Sequence, residues 1–302
     1  MSQFRGDSVN VITISKKKFE TLEPLKLSRG VFNTEAEIYD FPYRGQSKVL
    51  KRLFHQSGEV FANKLYTLEM LDAYKEYLPD NFCVPDSLIS VNGSIEGFTI
   101  PKKEGPTLVS LLKDLSVDST EQIHYLKKVG SILQHLHVIR KYTPLNDFYL
   151  NDIHDSNFIV NPNNRELTVI DLDSCKIKNN EAFPSRYLTP YSLLNNVKSK
   201  YKINQDGTLG YVTADEQSDL YCYVMMILNY LYGENIDIVS IDEFYEYLNY
   251  LEDIGVNQEL VDNFGRVVIN KPNENPVNYL DTLTRENVFR AKKNVYKKVK
   301  KR

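Results

Sequence analysis

The sequence has few features that would stabilise a secreted fold or anchor a protein in a membrane. Its three cysteines, Cys83, Cys175 and Cys222, are odd in number and scattered, without a C-x-x-C pair. This pattern argues against a disulfide framework and against a zinc site. The first ten residues lack the apolar run of a signal peptide. The longest apolar stretch, residues 221–232, is interrupted by Asn229 and is too short to cross a bilayer. We therefore expect a cytoplasmic protein.

Length and composition indicate an ordinary globular protein. The chain has 302 residues, of which 42% are hydrophobic and 25% are charged, values that are typical of soluble proteins. Domains usually span about 100–200 residues, so this length suits two lobes or domains. No internal repeat or low-complexity segment stands out. The sequence therefore predicts a globular protein in two parts.

The net charge of −3 conceals an asymmetry along the chain. Residues 285–302 carry nine Lys or Arg against one acid, a balance of +8, which leaves −11 for the remainder. In a helix, Val288, Val295 and Val299 of this basic tail would share one face. Two interpretations stay open: a terminal helix that docks on the acidic body, or a segment that binds an anionic partner, either nucleic acid or a membrane surface.

The first hundred residues have the patterns of strands and one helix. Residues 9–14, VNVITI, are either an irregular lead-in or an added strand. Asn92-Gly93 is a strong signal for a tight hairpin between two later strands. Period-two alternation and helical spacing predict two strands, a helix and two strands, at residues 35–41, 46–54, 59–77, 86–91 and 95–100.

Gly105-Pro106 interrupts the chain directly after these strands and predicts a hinge at residues 102–106. Beyond it the patterns are mostly helical. Asp118-x-x-Glu121 has the form of a capping box that opens a helix running to about Arg140. The predicted division of the chain is, in order, residues 1–101, 102–106, 107–284 and the basic tail at 285–302.

The most informative stretch is LNDIHDSNFIVNPNNRELTVIDLDS, residues 150–174, which contains Asp152, Asn157 and Asp171. Two strand-like runs lie between Asn157 and Asp171, and pairing them as a hairpin would bring both side chains to one end, beside Asp152. An amide and a carboxylate there can hold Mg²⁺, which prefers hard oxygen ligands and shares the others with phosphate. A second carboxylate can orient a hydroxyl and accept its proton. The alternative is that these residues serve only turn chemistry between two buried strands.

This stretch resembles the catalytic loop and metal-binding aspartate of the protein-kinase-like superfamily, whose signature is H-R-D-L-x-x-x-N and then D-F-G. The matching segments are Leu150-Asn151-Asp152 and Asp171-Leu172-Asp173. Over about residues 27–233 the order of elements is also the bilobal order of protein kinases. The resemblance, to a divergent bacterial Ser/Thr kinase of the eukaryotic type, implies an α+β, bilobal protein-kinase-like fold. Its N-lobe would be a small antiparallel β-sheet with one helix, and its C-lobe mostly helical.

The resemblance also implies roles for individual residues. Asp152 would be catalytic, while Asn157 and Asp171 would bind the metal. His154 stands two residues after Asp152, where related aminoglycoside and choline phosphotransferases carry histidine. It would steady the transferring phosphoryl group as a donor or cation, or else cap the turn.

Lys51, in the strand sequence VLK, resembles the lysine that pairs nucleotide phosphates in protein kinases. It shares a strand face with Val49 and Leu53, whereas Lys48 and Arg52 point to the other face. A cation between two apolar neighbours would face a core unless something anionic fills the space. The alternative is a lysine that reaches solvent from an edge strand.

Glu69, on the helix after this strand, is the acid expected to hold Lys51 in position, as kinases require. Its competitors on the same helix are Glu59 and Glu76. Alternatively, Glu69 is a solvated acid of the helix surface.

The phosphate-binding loop departs from the kinase pattern. With Ile38 as the apolar residue that covers the base, Val31, Asn33 and Ala36 stand where G-x-G-x-x-G has its glycines. Without glycines the backbone approaches phosphates less closely, so we expect weaker or differently posed nucleotide binding. The predicted nucleotide-binding residues are Lys51, Ile38, Ala36, Ile100 and Lys102.

Two further departures lie in the catalytic loop and in the segment that matches D-F-G. Asn151 replaces the arginine that reads a phosphorylated activation loop in many kinases, so we do not expect that form of switching. Asp173 replaces the glycine of D-F-G and would bind metal or cap the loop.

From the resemblance we expect a phosphotransferase that uses ATP and Mg²⁺ and acts on a hydroxyl, most simply a protein Ser/Thr kinase. The acceptor is an unknown protein or small molecule. The alternatives are a small-molecule kinase of the aminoglycoside or choline type, which His154 favours, and a pseudokinase that binds nucleotide without turnover. The missing glycines and Asp173 favour the pseudokinase.

Overall fold

The computed structural model describes residues 9–25, 36–54, 56–178, 180, 201–203, 209–211, 214–233, 241–268 and 274–299. Within these ranges the chain is α+β, with a sheet in its N-terminal part and several helices after it. Among the described residues, no helix is both long and apolar enough to cross a bilayer. All three cysteines are buried and lie outside any disulfide.

A five-stranded sheet forms the N-terminal part. Its strands are β1 (Val11–Ile14), β2 (Ala36–Asp40), β3 (Lys48–Leu53), β4 (Ser87–Val91) and β5 (Ser94–Pro101), in the spatial order β1-β4-β5-β3-β2. The pairs among β2, β3, β4 and β5 are antiparallel, but β1 runs parallel to β4. The sheet is therefore mixed, and the expectation of a purely antiparallel sheet is wrong. The difference arises because VITI forms the added strand.

Strand pairing sets the residues of the predicted site in rows across the sheet. Ile38, Lys51 and Phe98 lie opposite one another on β2, β3 and β5. In the next row, Val49 lies opposite Ile100. Because directly opposed residues point to the same side of a sheet, these five side chains share one face.

A helix covers part of that face. This helix, α2 (Gly58–Ala73), places Leu68 in one buried cluster with Ala36, Leu53 and Phe98. The opposite face, to which β1 contributes Ile12 and Ile14, packs against Phe19 of the short helix α1 (Lys16–Glu20). That second cluster contains Ile12, Ile14, Phe19, Tyr39, Phe41, Leu50, Ile89 and Val91.

The remainder of the described chain is mainly helical around one large core. Its helices are α3 (Leu108–Lys113), α4 (Ser119–Tyr142), α5 (Glu216–Tyr232), α6 (Ile241–Asp253), α7 (Gln258–Val268) and α8 (Arg285–Val299). The apolar stripe predicted for α4 is buried in this core, at Leu126, Val129, Leu133 and Leu136. This part of the chain also contains two short antiparallel strand pairs: β6 (Phe158–Val160) with β7 (Leu167–Val169), and β8 (Tyr201–Ile203) with β9 (Leu209–Tyr211).

The segment between β5 and α3, where a hinge was predicted, packs on β6. Gly105 has φ +130°, and a Cβ there would lie 2.0 Å from the Val160 carbonyl oxygen. The Val160 N–H in turn donates to the Pro106 carbonyl at 2.9 Å. Glycine is required at residue 105 both for its positive φ and for this close approach. The predicted hinge segment is thus in direct backbone contact with β6.

The basic tail begins as a packed helix. Val288 and Ala291 of α8 are fully buried, and the Asn287 side chain donates to the Ile254 carbonyl at 3.3 Å. Phe289, by contrast, is 58% exposed. The predicted boundary at residue 285 therefore does not mark the end of the packed core. The side chains of Val295 and Val299, and residues 300–302, lie outside the described part of the chain, and so do most of the lysines proposed to meet an anionic partner.

We expect Val288→Ala to lower the free energy of unfolding by about 2 kcal/mol, because it removes buried methyl groups and leaves a cavity. Phe289→Ala, on the exposed side of the same turn, should change it by no more than about 0.5 kcal/mol. Urea unfolding of both variants measures the difference. Equal effects would mean that α8 is not docked through Val288.

Candidate active site

The hairpin of β6 and β7 brings Asn157 and Asp171 to one end, as predicted. Phe158 pairs with Val169, and the Ile170 N–H donates to the Asn157 carbonyl at 2.9 Å. Asp171 follows with φ +65°, a left-handed conformation that Asp tolerates better than most residues. This conformation turns the chain sharply at the residue whose carboxylate was predicted to bind metal.

Asn157 is bound directly to Asp152. Its amide nitrogen donates to the Asp152 carbonyl at 2.8 Å and to the Asp152 carboxylate at 3.0 Å. Asn157 is buried, so its orientation is fixed by these two bonds. The amide oxygen is the atom left to face a ligand, while the nitrogen holds the carboxylate of Asp152 in place.

The backbone of the loop that carries Asp152 is hydrogen-bonded to the side chain of Asp219, near the start of α5. The backbone N–H groups of Leu150 and Asn151 donate to the Asp219 carboxylate at 3.2 and 2.8 Å. Burial raises the pKa of Asp219 to about 7, although the two N–H donors and Arg140 act in the opposite direction. Both oxygens of this buried side chain are thus committed to the loop.

Asn151 ties this loop to the turn after Asp171. It adopts φ +60°, and its side chain donates to the Ser174 carbonyl at 3.3 Å. On its other side, the backbones of Tyr149 and Lys176 exchange hydrogen bonds of 3.0 and 2.9 Å. The residue that replaces the kinase arginine therefore has a structural role here.

His154 lies beside Asp152. Its Nδ1 accepts a hydrogen bond from the Ser156 N–H at 3.3 Å, and its Nε2 is 3.5 Å from a carboxylate oxygen of Asp152. Burial lowers the pKa of His154, which favours the neutral ring. Because Nδ1 is an acceptor, the neutral ring carries its proton on Nε2. His154 thus offers an N–H donor next to Asp152.

Lys51 reaches across from β3 to the same place. Its ammonium group forms ion pairs with Asp171 and, at 2.7 Å, with Asp173. Burial alone would lower the pKa of Lys51, but the two carboxylates raise it above its ordinary value. Lys48 lies on the opposite face of the sheet, where its ammonium group forms an ion pair with Asp86 at 2.8 Å. The strand parity derived from the sequence is confirmed.

The prediction that Glu69 holds Lys51 is wrong. Glu69 is exposed on α2, and the described partners of Lys51 are the two aspartates. The residue of α2 that faces them is Lys64, which is buried and lies 2.6 Å from a carboxylate oxygen of Asp173. Successive helical residues are turned by roughly 100°, so Glu69 cannot share the face of Lys64 and Leu68.

Asp173 and Lys64 are the site residues that the sequence interpretation missed or left undecided. Asp173 is buried between Lys51 and Lys64. Although burial acts to raise it, these ammonium groups hold the pKa of Asp173 well below its usual range. A signal for Lys64 was present, because it lies four residues before Leu68 and seven before Leu71, on the apolar stripe of α2.

Two of the predicted nucleotide-binding residues lie beside Lys51 on the sheet, and a third lies at the end of the same face. Ile38 and Ile100 are half-buried beside Lys51, as is Val49, and they form an apolar strip. Lys102, at the end of this strip, forms an ion pair with Asp40 at 2.9 Å.

Ala36 does not belong to this strip. It is only 1% exposed and packs in the core with Leu68, so the prediction that it lines the site is wrong. Its position opposite Leu53 places it under α2, beyond the open part of the sheet face. The other positions of the predicted phosphate loop, Val31 and Asn33, lie outside the described residues.

The donors at the end of the hairpin fit a magnesium ion shared with phosphate. The amide oxygen of Asn157 and the carboxylate of Asp171 are hard ligands, and the Asp171 side chain is 32% exposed. No cluster of three or more His, Cys, Asp or Glu side chains suited to a metal occurs among the described residues. Mg²⁺ needs no such cluster, because it keeps water and phosphate oxygens in its coordination shell.

A scan against models of protein families found no match, and no curated protein shows significant similarity to the sequence. The function is therefore argued from the geometry of these side chains.

We expect Asp219→Asn to destabilise the protein by about 1–3 kcal/mol, because an amide nitrogen would face a backbone N–H that has lost its acceptor. Hydrogen exchange should rise at the amide of Leu150 or of Asn151, because the one remaining oxygen can replace only one of the two acceptors. Urea unfolding and exchange measured by mass spectrometry check both effects. The control is Asp281→Asn, since Asp281 is 83% exposed in its ion pair with Lys127. Protection that survives at both amides in Asp219→Asn would contradict the support role.

Proposed function

We propose that this protein is a phosphotransferase that uses ATP and Mg²⁺ to phosphorylate a hydroxyl group, within a bilobal protein-kinase-like fold. One observation carries the proposal. Lys51 from the sheet is ion-paired with Asp171, and Asp152 is hydrogen-bonded to Asn157. The Ile170 N–H, directly before Asp171, donates to the Asn157 carbonyl and so brings the two pairs together. These residue types together supply what phosphoryl transfer needs, namely a phosphate-binding cation, metal ligands and a base.

The arrangement of elements supports the finer assignment of the fold. A sheet with one long helix against it precedes a short connecting segment and a mainly helical part that contains the β6–β7 hairpin. The carboxylate of Asp219 beneath the loop of Asp152 corresponds to the aspartate that supports the catalytic loop in protein kinases. The order of elements and the contact of Asp219 are independent features, and both are typical of a protein-kinase-like fold.

Lys51 is the group proposed to bind nucleotide phosphates. A lysine ammonium is a compact point charge suited to phosphate oxygens, and Lys51 is already oriented by carboxylates on one side. When bound, Mg²⁺ would be held by Asn157 and Asp171 and would neutralise charge on the phosphates. The apolar strip of Ile38, Val49 and Ile100 is the surface proposed for the base.

Asp152 is the group proposed to orient the acceptor hydroxyl and take its proton. Asn157 fixes its carboxylate by the bond of 3.0 Å, and a fixed base saves the reaction the cost of orienting it. His154 adds an N–H donor beside it, which can hydrogen-bond an acceptor or a phosphate oxygen.

A protein serine or threonine is the acceptor we propose, and a small-molecule alcohol is the alternative that His154 favours. A pseudokinase is favoured by a different observation, because Lys51 is in contact with Asp171, one of the two proposed metal ligands. Incubation with labelled ATP and Mg²⁺ separates these cases. Label on protein supports the first, label transferred to an added small-molecule alcohol supports the second, and nucleotide binding without turnover supports the third.

We expect the three site residues to divide into two roles. Asp152→Ala should leave Mg-ATP binding largely intact and lower kcat by about 100-fold or more, since a base acts in the transition state. Asn157→Ala and Asp171→Ala should each weaken Mg²⁺-dependent ATP binding by at least about tenfold, because even outer-shell changes at metal sites cost that much. Thermal-shift titrations with ATP, with and without Mg²⁺, measure the binding.

The matched control is Asn164→Ala, an exposed amide in the turn of the same hairpin that accepts from the Glu166 N–H at 3.0 Å. It should leave both binding and turnover unchanged. If all three site variants lose Mg-ATP binding to the same extent, the division of roles is wrong. If the wild type shows no Mg²⁺-dependent binding, the proposed function itself fails.

We expect Lys51→Ala to lower phosphotransfer by at least about 100-fold, because it removes the cation proposed to face the phosphates. Lys48→Ala should retain transfer while lowering the free energy of unfolding by about 1–3 kcal/mol, since it leaves Asp86 without this partner on the opposite face. Transfer per folded molecule, together with urea unfolding, separates the two. Retained transfer in Lys51→Ala would exclude its proposed role.

A further inference from the structure

Helix α2 is joined to the turn after Asp171 by buried polar contacts that the proposed reaction does not use. Lys64 meets Asp173 at 2.6 Å. Nine residues after Asp171, the Asn180 side chain donates to the Thr67 hydroxyl of α2 at 2.5 Å and to the Asn63 carbonyl at 3.3 Å. These contacts fix the helix and the turn relative to each other from two positions.

The two carboxylates on Lys51 are not equivalent. Asp173 has one oxygen on Lys51 at 2.7 Å and the other on Lys64 at 2.6 Å, and its side chain is 1% exposed. Asp171 also contacts Lys51 through one oxygen, but its side chain is 32% exposed. Asp173 is therefore enclosed between two cations, while Asp171 borders the space where a nucleotide would bind.

We infer that Lys64 is a positioning residue that holds Lys51 in place through Asp173. Asp173 is the permanent counter-ion of Lys51, and Asp171 is the exchangeable one. This role in phosphotransfer rests on the proposed function, although the contacts themselves do not.

Charge balance gives the physical reason for the arrangement. Among the described residues, the two ammonium groups balance the two carboxylates, and Lys51, Lys64 and Asp173 are buried. The pairing avoids the large cost of an unpaired buried charge. If Asp171 turns towards a metal, Lys51 keeps Asp173 and does not become such a charge. If Lys64 is removed instead, two carboxylates face one ammonium, and the excess negative charge opposes the approach of phosphate.

The test compares Lys64→Met, Asp173→Asn, the double variant and Lys64→Arg. Its first arm is urea unfolding without nucleotide. Each neutralising single change should lower the unfolding midpoint, and the double variant should recover at least roughly half of the summed loss, because removing a whole buried pair is far less costly than removing one partner. Lys75→Met is the control, since Lys75 forms an exposed ion pair with Asp72 at 2.8 Å, and it should leave the midpoint unchanged.

The second arm is ATP binding and turnover per folded molecule. Lys64→Met should weaken Mg-ATP binding, and Lys64→Arg, which keeps the charge, should not. The double variant restores neutrality and should recover binding, but its kcat should stay about 100-fold below wild type, because Lys51 has lost its permanent partner and misplacement of a reacting group costs that much. A role limited to filling the core would predict recovery of both.

Two outcomes overturn the inference: additive losses of midpoint in the double variant, or full recovery of both binding and kcat. If Lys64→Met does not fold, the double variant and Lys64→Arg still supply the kinetic comparison with Asp173→Asn. A wild type that binds no Mg-ATP defeats the proposed function alone, and the unfolding arm then decides whether Lys64 and Asp173 are coupled.

Discussion

The pairing of the Lys51 ammonium with Asp171 and Asp173 is the constraint on which the rest of the structure depends. A lysine on the covered face of a sheet cannot stay charged without a counter-ion, because burying an isolated charge is far more costly than a typical protein's whole stability. Its partners come from 120 and 122 residues further along the chain. The sheet and the helical part must therefore meet at one place, with the turn after β7 held against β3 and α2.

The backbone around the site supports that meeting point. Asn151 and Asp171 are both in the left-handed region, at φ +60° and +65°, and neither is glycine. Such conformations cost of order 1–3 kcal/mol each and persist only when surrounding contacts determine them. For Asn151 those contacts are the Asp219 carboxylate and the Ser174 carbonyl. The stability of the helical core, which buries Asp219, is thus used to hold the loop of Asp152 in a strained form.

Local periodicity was enough to predict the four strands and the helix between residues 35 and 101, the parity of Lys51 and the convergence of Asn157 with Asp171, because these depend on near neighbours in the chain. It left β1 undecided and did not predict β8 and β9. The partner of Lys51 was not predictable in this way. Periodicity does not show which charged residue of α2 faces the interior, and Lys64 is stabilised there by Asp173, which lies 109 residues further along the chain. The prediction for Ala36 was wrong for a similar reason, because its burial depends on where α2 crosses the sheet.

Asp173 and Lys64 are best understood as one electrostatic change. Relative to the kinase pattern, Asp173 in place of glycine adds a carboxylate at the turn, and Lys64 places a cation on the helix where an acid is expected. Either change alone would leave an unpaired charge among buried groups, but together they keep the set neutral. Asp173 is therefore no longer an argument for a pseudokinase, because it supplies Lys51 with the carboxylate that Glu69 does not. Within the proposed function, the distinction between a kinase and a pseudokinase rests on Asp152, Asn157 and Asp171, and on whether Asp171 leaves Lys51 when nucleotide binds.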